Sequence, residues 1–120
     1  MPGLSARSRR GTRAMRAGTR KYLKRTPKEK AMNDKLSTLI AEAREESARA
    51  MNAYPQPNYV ISKVAEEAGE VVKAAIHCAE QRANAEDVRG EIVQAMAMLM
   101  RLYLEGDQVH GLPPIAEHTN

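Results

Sequence analysis

The stretch from Val60 to Ile76 restricts the fold most, because its apolar residues recur at the spacing of an α-helix. They stand three and four positions apart and form a wide stripe: Val60, Ile61, Val64, Ala65, Ala68, Val71, Val72, Ala75 and Ile76. Three carboxylates, Glu66, Glu67 and Glu70, interrupt the edge of this stripe. They lie on one side of the helix, on adjacent turns, where like charges repel. A divalent cation is the sharpest candidate for relieving that repulsion.

The aliphatic composition predicts closely packed helices. The 120 residues include no Phe and no Trp but seven Met, and small side chains let helix backbones approach one another. The apolar spacing predicts three helices, over residues 34–51, 59–83 and 86–105. Asp34 and Asn58 are the predicted N-caps of the first two, and Gly106 is the predicted C-cap of the third.

Each predicted helix has an apolar face. On the first it includes Leu36, Ile40, Ala43 and Ala50, with Glu46 and Arg49 facing outward; on the third it includes Val88, Ile92, Leu99 and Tyr103. Three such helices make a thin core for a domain of about 90 residues. We therefore predict an all-α fold, an antiparallel helical bundle that is completed by oligomerisation as a homodimer or homotetramer.

The net charge of +4 conceals two regions of opposite sign. Residues 1–31 hold eleven Lys or Arg and one acid, whereas residues 32–120 hold eight Lys or Arg and fourteen acids. The basic leader is too polar to fold alone. It is interpreted as a nucleic-acid-binding arm, an organelle transit peptide, or an extension upstream of a natural start at Met32. The predicted organisation is this leader, a helical domain over 32–106 and a flexible tail over 107–120.

The rest of the composition favours a cytoplasmic protein. Cys78 is the one cysteine, which gives no disulfide framework and is typical of a reducing compartment. No apolar run approaches the length of a transmembrane helix, and the N-terminus lacks the apolar core of a secretory signal. We expect no membrane partner.

A second acidic group lies on the third predicted helix. Asp87, Glu91 and Gln94 are spaced at i, i+4 and i+7 and share one face. Paired with the first acidic group, they would offer four or five oxygen ligands of the kind that Mg²⁺ prefers. One Glu-rich face alone is usually a solvated surface, but two that edge apolar stripes favour a metal site. A di-iron site needs Glu-x-x-His, and Ala74 stands where that Glu would precede His77.

Two segments resemble the MazG-like all-α nucleotide pyrophosphohydrolases, a superfamily that includes the phosphoribosyl-ATP pyrophosphohydrolases. They are KVAEEAGEVVKAA, which begins at Lys63, and EIVQ, which begins at Glu91 and is followed by MLMRLYLEGD. The resemblance covers roughly residues 34–106. It implies a helical bundle that forms dimers or tetramers, Mg²⁺ as cofactor with Mn²⁺ as an alternative, and hydrolysis of a nucleoside triphosphate to the monophosphate and pyrophosphate.

The family signature, ExxE followed by ExxD, implies which residues bind the metal. ExxE falls on Glu67 and Glu70, and the first residue of ExxD falls on Glu91. The fourth position is Gln94 instead of Asp; its amide oxygen can ligate Mg²⁺, but it carries no charge. Asp87, one turn before Glu91, is a candidate to supply that charge, as is Glu66.

The resemblance also implies a reaction, the attack of water on the α–β phosphate linkage. Glu66 is the leading candidate to orient or deprotonate the water, beside Glu67. Lys63, one turn earlier, is predicted to contact the polyphosphate, with a salt bridge to Glu66 or Glu67 as its alternative role. The alternative function is a non-catalytic nucleotide-binding or regulatory module whose basic arm binds nucleic acid.

Overall fold

Helices dominate the part of the chain that this computed structural model describes, residues 25–120. They are α1 from Pro27 to Ala53, α2 from Val60 to Ala79 and α3 from Ala85 to Glu105, followed by short 3₁₀ helices at Gln108–His110 and Ile115–His118. Within residues 25–120 there is no strand, only an isolated bridge between Asp107 and Leu112. The predicted all-α class is therefore confirmed for the described residues. The chain divides into two units between Asp34 and Lys35, and the sites below lie in the second.

A capping box starts α1 earlier than the sequence analysis predicts. The Glu29 backbone N–H donates to Thr26 Oγ1 at 3.1 Å, and the Thr26 N–H donates to Glu29 Oε2 at 3.1 Å. Pro27 follows at the first helical position, where a backbone N–H would have no partner in any case. The prediction that this helix begins at Asp34 is wrong. Predictions for residues 1–24, which include most of the basic arm, lie outside the described residues.

A distant side chain, not Asn58, caps the N-terminus of α2. Asp107 is fully buried, and its Oδ2 accepts a hydrogen bond from the Ile61 backbone N–H at 2.9 Å. The side-chain amide of Asn58 donates instead to the Tyr54 carbonyl at 3.4 Å. The predicted Asn58 cap is therefore wrong, because a carboxylate 46 residues away in the chain occupies that role.

Local signals set both ends of α3. The Asp87 N–H donates to Asn84 Oδ1 at 2.9 Å, and the Asn84 N–H donates to Asp87 Oδ2 at 3.1 Å, which completes a capping box. Gly106 ends the helix at φ +67°, as predicted for a C-cap glycine. The preceding helix, α2, ends at Ala79, short of the predicted Ala83.

The segment after α3 is folded, although the sequence predicts a flexible tail. Asp107 Oδ1 accepts from the His110 backbone N–H at 3.0 Å, and Asp107 Oδ2 lies 3.0 Å from His110 Nδ1. Two backbone hydrogen bonds join Asp107 to Leu112. The Ile115–His118 helix then contacts α3. One buried carboxylate thus organises both the start of α2 and the turn after α3.

The buried core is as thin as the three-helix prediction implies. Its buried apolar residues are Ala43, Ala50, Val60, Val93, Ala97 and Met98. Several residues of the predicted stripes are instead exposed, among them Leu36, Ile40, Ile61, Val72, Ile76, Leu99 and Tyr103. The helices carry more apolar surface than packing among the three of them can bury. No helix within residues 25–120 is long and apolar enough to cross a bilayer.

Candidate functional site

Two cavities contain all the acidic residues singled out by the sequence except Glu66. The first, here called the Tyr54 cavity, has a volume of about 270 Å³. From α1 and the loop that follows, its polar lining is Glu46, Arg49, Tyr54 and Asn58; from α2 and α3 it is Lys63, Glu67, Gln94 and Arg101. The second, here called the His77 cavity, has a volume of about 460 Å³, and its charged or titratable lining is Glu70, Lys73, His77, Glu86, Asp87 and Glu91.

The four signature positions divide between these cavities in a regular way. Glu67 shares the Tyr54 cavity with Gln94, whereas Glu70 shares the His77 cavity with Glu91. A later residue on α2 thus faces an earlier residue on α3, so the two contacting helices run in opposite directions. This arrangement brings the ExxE and ExxQ segments face to face.

Glu67 lies within the face of α2 that packs toward α3, not at its edge. It follows the half-buried Val64 by three residues and precedes the half-buried Val71 by four. Burial raises the pKa of Glu67, and the negative charges of Glu91, Glu66 and Glu70 raise it further, against a smaller opposing effect of Lys63. Repulsion among these carboxylates, which the sequence predicts, is therefore a property of the folded molecule.

Lys63 adopts the ion pair that the sequence offers as its alternative role. Its Nζ lies 3.5 Å from Glu66 Oε2, and the two side chains are 50% and 60% exposed. Lys63 also lines the Tyr54 cavity, whereas Glu66 lines neither that cavity nor the His77 cavity. Glu66 is thus close enough to act on Glu67 electrostatically while remaining open to solvent.

Asp87 has a structural partner in addition to its position beside Glu91. Its Oδ2 accepts the Asn84 N–H in the capping box of α3, and the residue lines the His77 cavity. His77 is half-buried at the same cavity. The wall formed by Glu70, Asp87 and Glu91 is strongly acidic.

The two cavities together carry oxygen donors of the kind that a hard cation selects. Glu67, Glu70, Glu91 and Gln94 offer only oxygen ligands, which hard cations select, and the repulsion around Glu67 is a cost that a cation would remove. Within residues 25–120, no three Asp, Glu, His or Cys side chains already converge as a metal centre. Side-chain rotation would be needed to bring these oxygens to one ion.

Glu46 and Arg49 are site residues that the sequence analysis placed outward. The Glu46 side chain is only 17% exposed, and Arg49 Nε donates to Glu46 Oε2 at 2.9 Å. The hydrogen bond from Arg49 lowers the pKa of Glu46 against the effect of burial, and a hydrogen bond from Gln94 lowers it further. The sequence contained a signal for the inward position of Glu46, because this residue stands three residues after the buried Ala43 and four before the buried Ala50.

Arg101, which lines the Tyr54 cavity, holds the end of α1 in place. Its side chain is 2% exposed and donates to the carbonyls of Ala50 and Tyr54 and to the carboxylate of Glu105. The Tyr54 carbonyl follows the last residue of α1, whereas the Ala50 carbonyl also accepts the Tyr54 backbone N–H at 2.9 Å. The Arg101 guanidinium therefore makes its hydrogen bonds within the protein.

Gln56 holds the loop that carries Tyr54 and Asn58. Its Nε2 donates to Glu105 Oε1 at 3.1 Å, and its Oε1 accepts from the backbone N–H groups of Asn58 and Gln108. The loop is thus attached to both α3 and the segment after it. This attachment sets the position of the Tyr54 cavity wall.

No family model, no curated protein and no solved structure matches this chain. The structure itself places carboxylates on two antiparallel helices and cationic side chains in both cavities, with Tyr54 and Asn58 lining one of them.

Proposed function

We propose that this protein is a Mg²⁺-dependent nucleotide pyrophosphohydrolase of the MazG-like type. Its reaction would convert a (deoxy)nucleoside triphosphate to the monophosphate and pyrophosphate. The observation that carries the proposal is the placement of the four signature positions between the contacting helices α2 and α3: Glu67 and Gln94 line the Tyr54 cavity, and Glu70 and Glu91 line the His77 cavity. The negative charge of Glu91 also contributes to the raised pKa of Glu67.

The cation-binding residues in this proposal are Glu67, Glu70, Glu91 and Gln94. These residues would hold Mg²⁺, whose positive charge would offset the charge of the polyphosphate and polarise its α–β linkage. Mn²⁺ accepts similar oxygen ligands and is the expected substitute. Lys63 in the Tyr54 cavity and Lys73 in the His77 cavity provide further positive charge for the phosphates.

Glu66 is the proposed proton acceptor for the attacking water. As the bond from the water oxygen to the α-phosphorus forms, the bond from that phosphorus to the bridging oxygen breaks, and pyrophosphate leaves. The proton would pass to Glu66, which lines neither cavity in the free protein and would have to turn from Lys63 toward the water. Lys63 orients Glu66 in the free protein, at a separation of 3.5 Å.

A second copy of the chain is the proposed cover for the exposed apolar face of α2. Ile61, Val72 and Ile76 on this face are each at least 40% exposed, and the small residues Ala65 and Ala68 lie between them. Burying such a face between two copies would supply the core that three helices lack. Sedimentation equilibrium should give a dimer or tetramer; a monomer at micromolar concentration would contradict this assembly.

The experiment is pyrophosphate release from a panel of common and modified (d)NTPs in the presence of Mg²⁺. We expect release from at least one nucleotide, and a loss of about 100-fold or more in Glu67→Gln. Glu45→Gln is the matched control, since it removes an exposed carboxylate from α1. No release from any nucleotide, under conditions where nucleotide binding is measured, would reject the enzymatic function.

A further inference from the structure

The loop between α1 and α2 carries part of the wall of the Tyr54 cavity, and hydrogen bonds attach it to α3 and to the segment after α3. Tyr54 and Asn58 line this cavity together with Glu67 and Gln94, two of the residues proposed to hold the cation. A nucleotide bound through that cation would therefore meet the loop. The position of the loop then decides whether its two side chains reach the nucleotide.

Three side chains connect the loop to α3. Arg101 is 2% exposed and donates to the Tyr54 carbonyl and to the Glu105 carboxylate. Gln56 Nε2 donates to Glu105 Oε1 at 3.1 Å. Because Glu105 Oε1 accepts from both Arg101 and Gln56, these hydrogen bonds form one continuous network between helix and loop. A displacement of the loop would break several of them at once.

The oxygen of the Gln56 amide attaches the loop to the segment after α3. Gln56 Oε1 accepts from the Gln108 backbone N–H at 3.0 Å and from the Asn58 backbone N–H at 3.2 Å. That segment is itself fixed, because the buried Asp107 accepts the Ile61 N–H at the start of α2. Gln56 is thus the side chain at which α3, the loop and the following segment meet, although it does not line the cavity.

We propose that Gln56 is a positioning residue for nucleotide binding, which holds the wall formed by Tyr54 and Asn58 in its place at the cavity. It acts through its hydrogen bonds to Glu105 and to the backbone of Gln108, and it does not touch the nucleotide itself. This inference rests on the proposed function, because it takes the ligand of the cavity to be a nucleotide. It gives the segment after α3 a part in ligand binding from outside the cavity.

The simpler interpretation is that Gln56 contributes to folding alone. Both interpretations expect a lower melting temperature when this side chain loses its hydrogen bonds. They differ in the affinity of the folded molecules for a nucleotide, which a purely structural residue leaves unchanged and a positioning residue changes. Affinity measured well below the melting temperature therefore decides between the two.

The test is binding of the α,β-methylene analogues of the common (d)NTPs to the full chain with Mg²⁺, measured by calorimetry. These probes cannot be cleaved between the α and β phosphates, so binding is measured without turnover. We expect Gln56→Met, which removes the hydrogen bonds but keeps a side chain of similar length, to weaken binding by about tenfold. Gln108→Met is the matched control, since it changes an exposed side chain of the attached segment and keeps the backbone N–H that donates to Gln56.

A charge exchange tests the contact between Gln56 and Glu105 itself. Gln56→Glu sets two carboxylates against each other and should also weaken binding by about tenfold. Adding Glu105→Gln should restore the affinity to within about threefold of the wild type. The new amide donates across the same contact and still accepts from Arg101. Adding Glu45→Gln instead gives the same net charge but leaves the repulsion in place, and should restore nothing.

The outcomes separate this inference from the proposed function. Wild-type affinity in Gln56→Met and Gln56→Glu would overturn the inference, as would equal rescue by Glu45→Gln and Glu105→Gln. Wild-type protein that binds none of the analogues would overturn it too. Pyrophosphate release by the wild type is scored separately and decides the enzymatic function. A protein that binds the analogues with the expected pattern and cleaves no nucleotide would keep the positioning role and lose the enzymatic one.

Discussion

Glu67 and Asp107 are two carboxylates at the same helix, and their surroundings are opposite. Asp107 is fully buried at the N-terminus of α2 and accepts hydrogen bonds from Ile61 and His110. Burial raises the pKa of Asp107, but these hydrogen bonds outweigh it and leave the pKa below its ordinary value. Glu67, in the middle of α2, is half-buried among other carboxylates, and burial and repulsion raise its pKa.

This contrast separates an acid that holds the fold from one whose charge the chain compensates only in part. The donors around Asp107 compensate its charge within the chain, so its ionised form stabilises the folded state. Around Glu67, Lys63 offsets only part of the effect of burial and of the other carboxylates. Perturbation of this second kind is concentrated at functional sites, where a ligand supplies the compensation.

The largest effect that tests this contrast is expected for Asp107→Asn. An amide keeps the shape of the side chain but replaces an acceptor oxygen with a donor, which opposes one of the N–H groups of Ile61 and His110. The melting temperature should fall by about 5–10 °C, while turnover per folded molecule is retained. Glu117→Gln, in the exposed part of the same segment, is the control. Equal melting temperatures for the two variants would show that Asp107 is not an anchor.

A smaller effect is expected in the pH dependence of stability, where the two acids have opposite signs. The raised pKa of Glu67 means that the folded state holds this proton more tightly than the unfolded chain does. As pH falls from neutral through that raised pKa toward the unfolded value of about 4.3, this residue makes folding more favourable. The stabilisation from Asp107 is present above its unfolded pKa of about 3.9. It is lost as pH falls further, through the lower folded pKa.

Melting curves of the wild type, Glu67→Gln and Asp107→Asn, recorded from pH 7 to about pH 3, would separate these contributions. Glu67→Gln should lose the gain at mildly acidic pH and keep the loss at lower pH. Asp107→Asn should show the reverse. Identical profiles for the two variants would mean that the surroundings of the two carboxylates do not differ as described.

Local signals in the sequence predicted much of the helical framework. The apolar spacing indicated α2 and α3, and Gly106 marked the end of α3 through its need for positive φ. The start of α1 was also encoded, as Thr-Pro-Lys-Glu at residues 26–29, but the density of positive charge around it favoured the interpretation as a leader. In the structure, helix propensity and the capping box have a larger effect on where α1 begins than that positive charge has.

Features that depend on distant contacts could not be predicted from spacing alone. Asp107 caps α2 from the far end of α3, and no local pattern connects these positions. Glu46 lines a cavity together with Gln94 of α3, whereas a helical projection of α1 by itself put Glu46 outward. Glu67 and Glu91 were predicted to share a site because each lies beside an apolar stripe; in the structure Glu67 lines the Tyr54 cavity and Glu91 lines the His77 cavity.

The most direct test of the central claim is the effect of Mg²⁺ on the melting temperatures of wild type and Glu67→Gln. Without Mg²⁺, the variant should melt about 1–3 °C above the wild type, because it lacks one of the repelling charges. With saturating Mg²⁺, the wild type should gain stability through binding and melt above the variant. A variant that is less stable than the wild type without Mg²⁺, or an equal effect of Mg²⁺ on both proteins, would contradict the assignment of these carboxylates as a cation site.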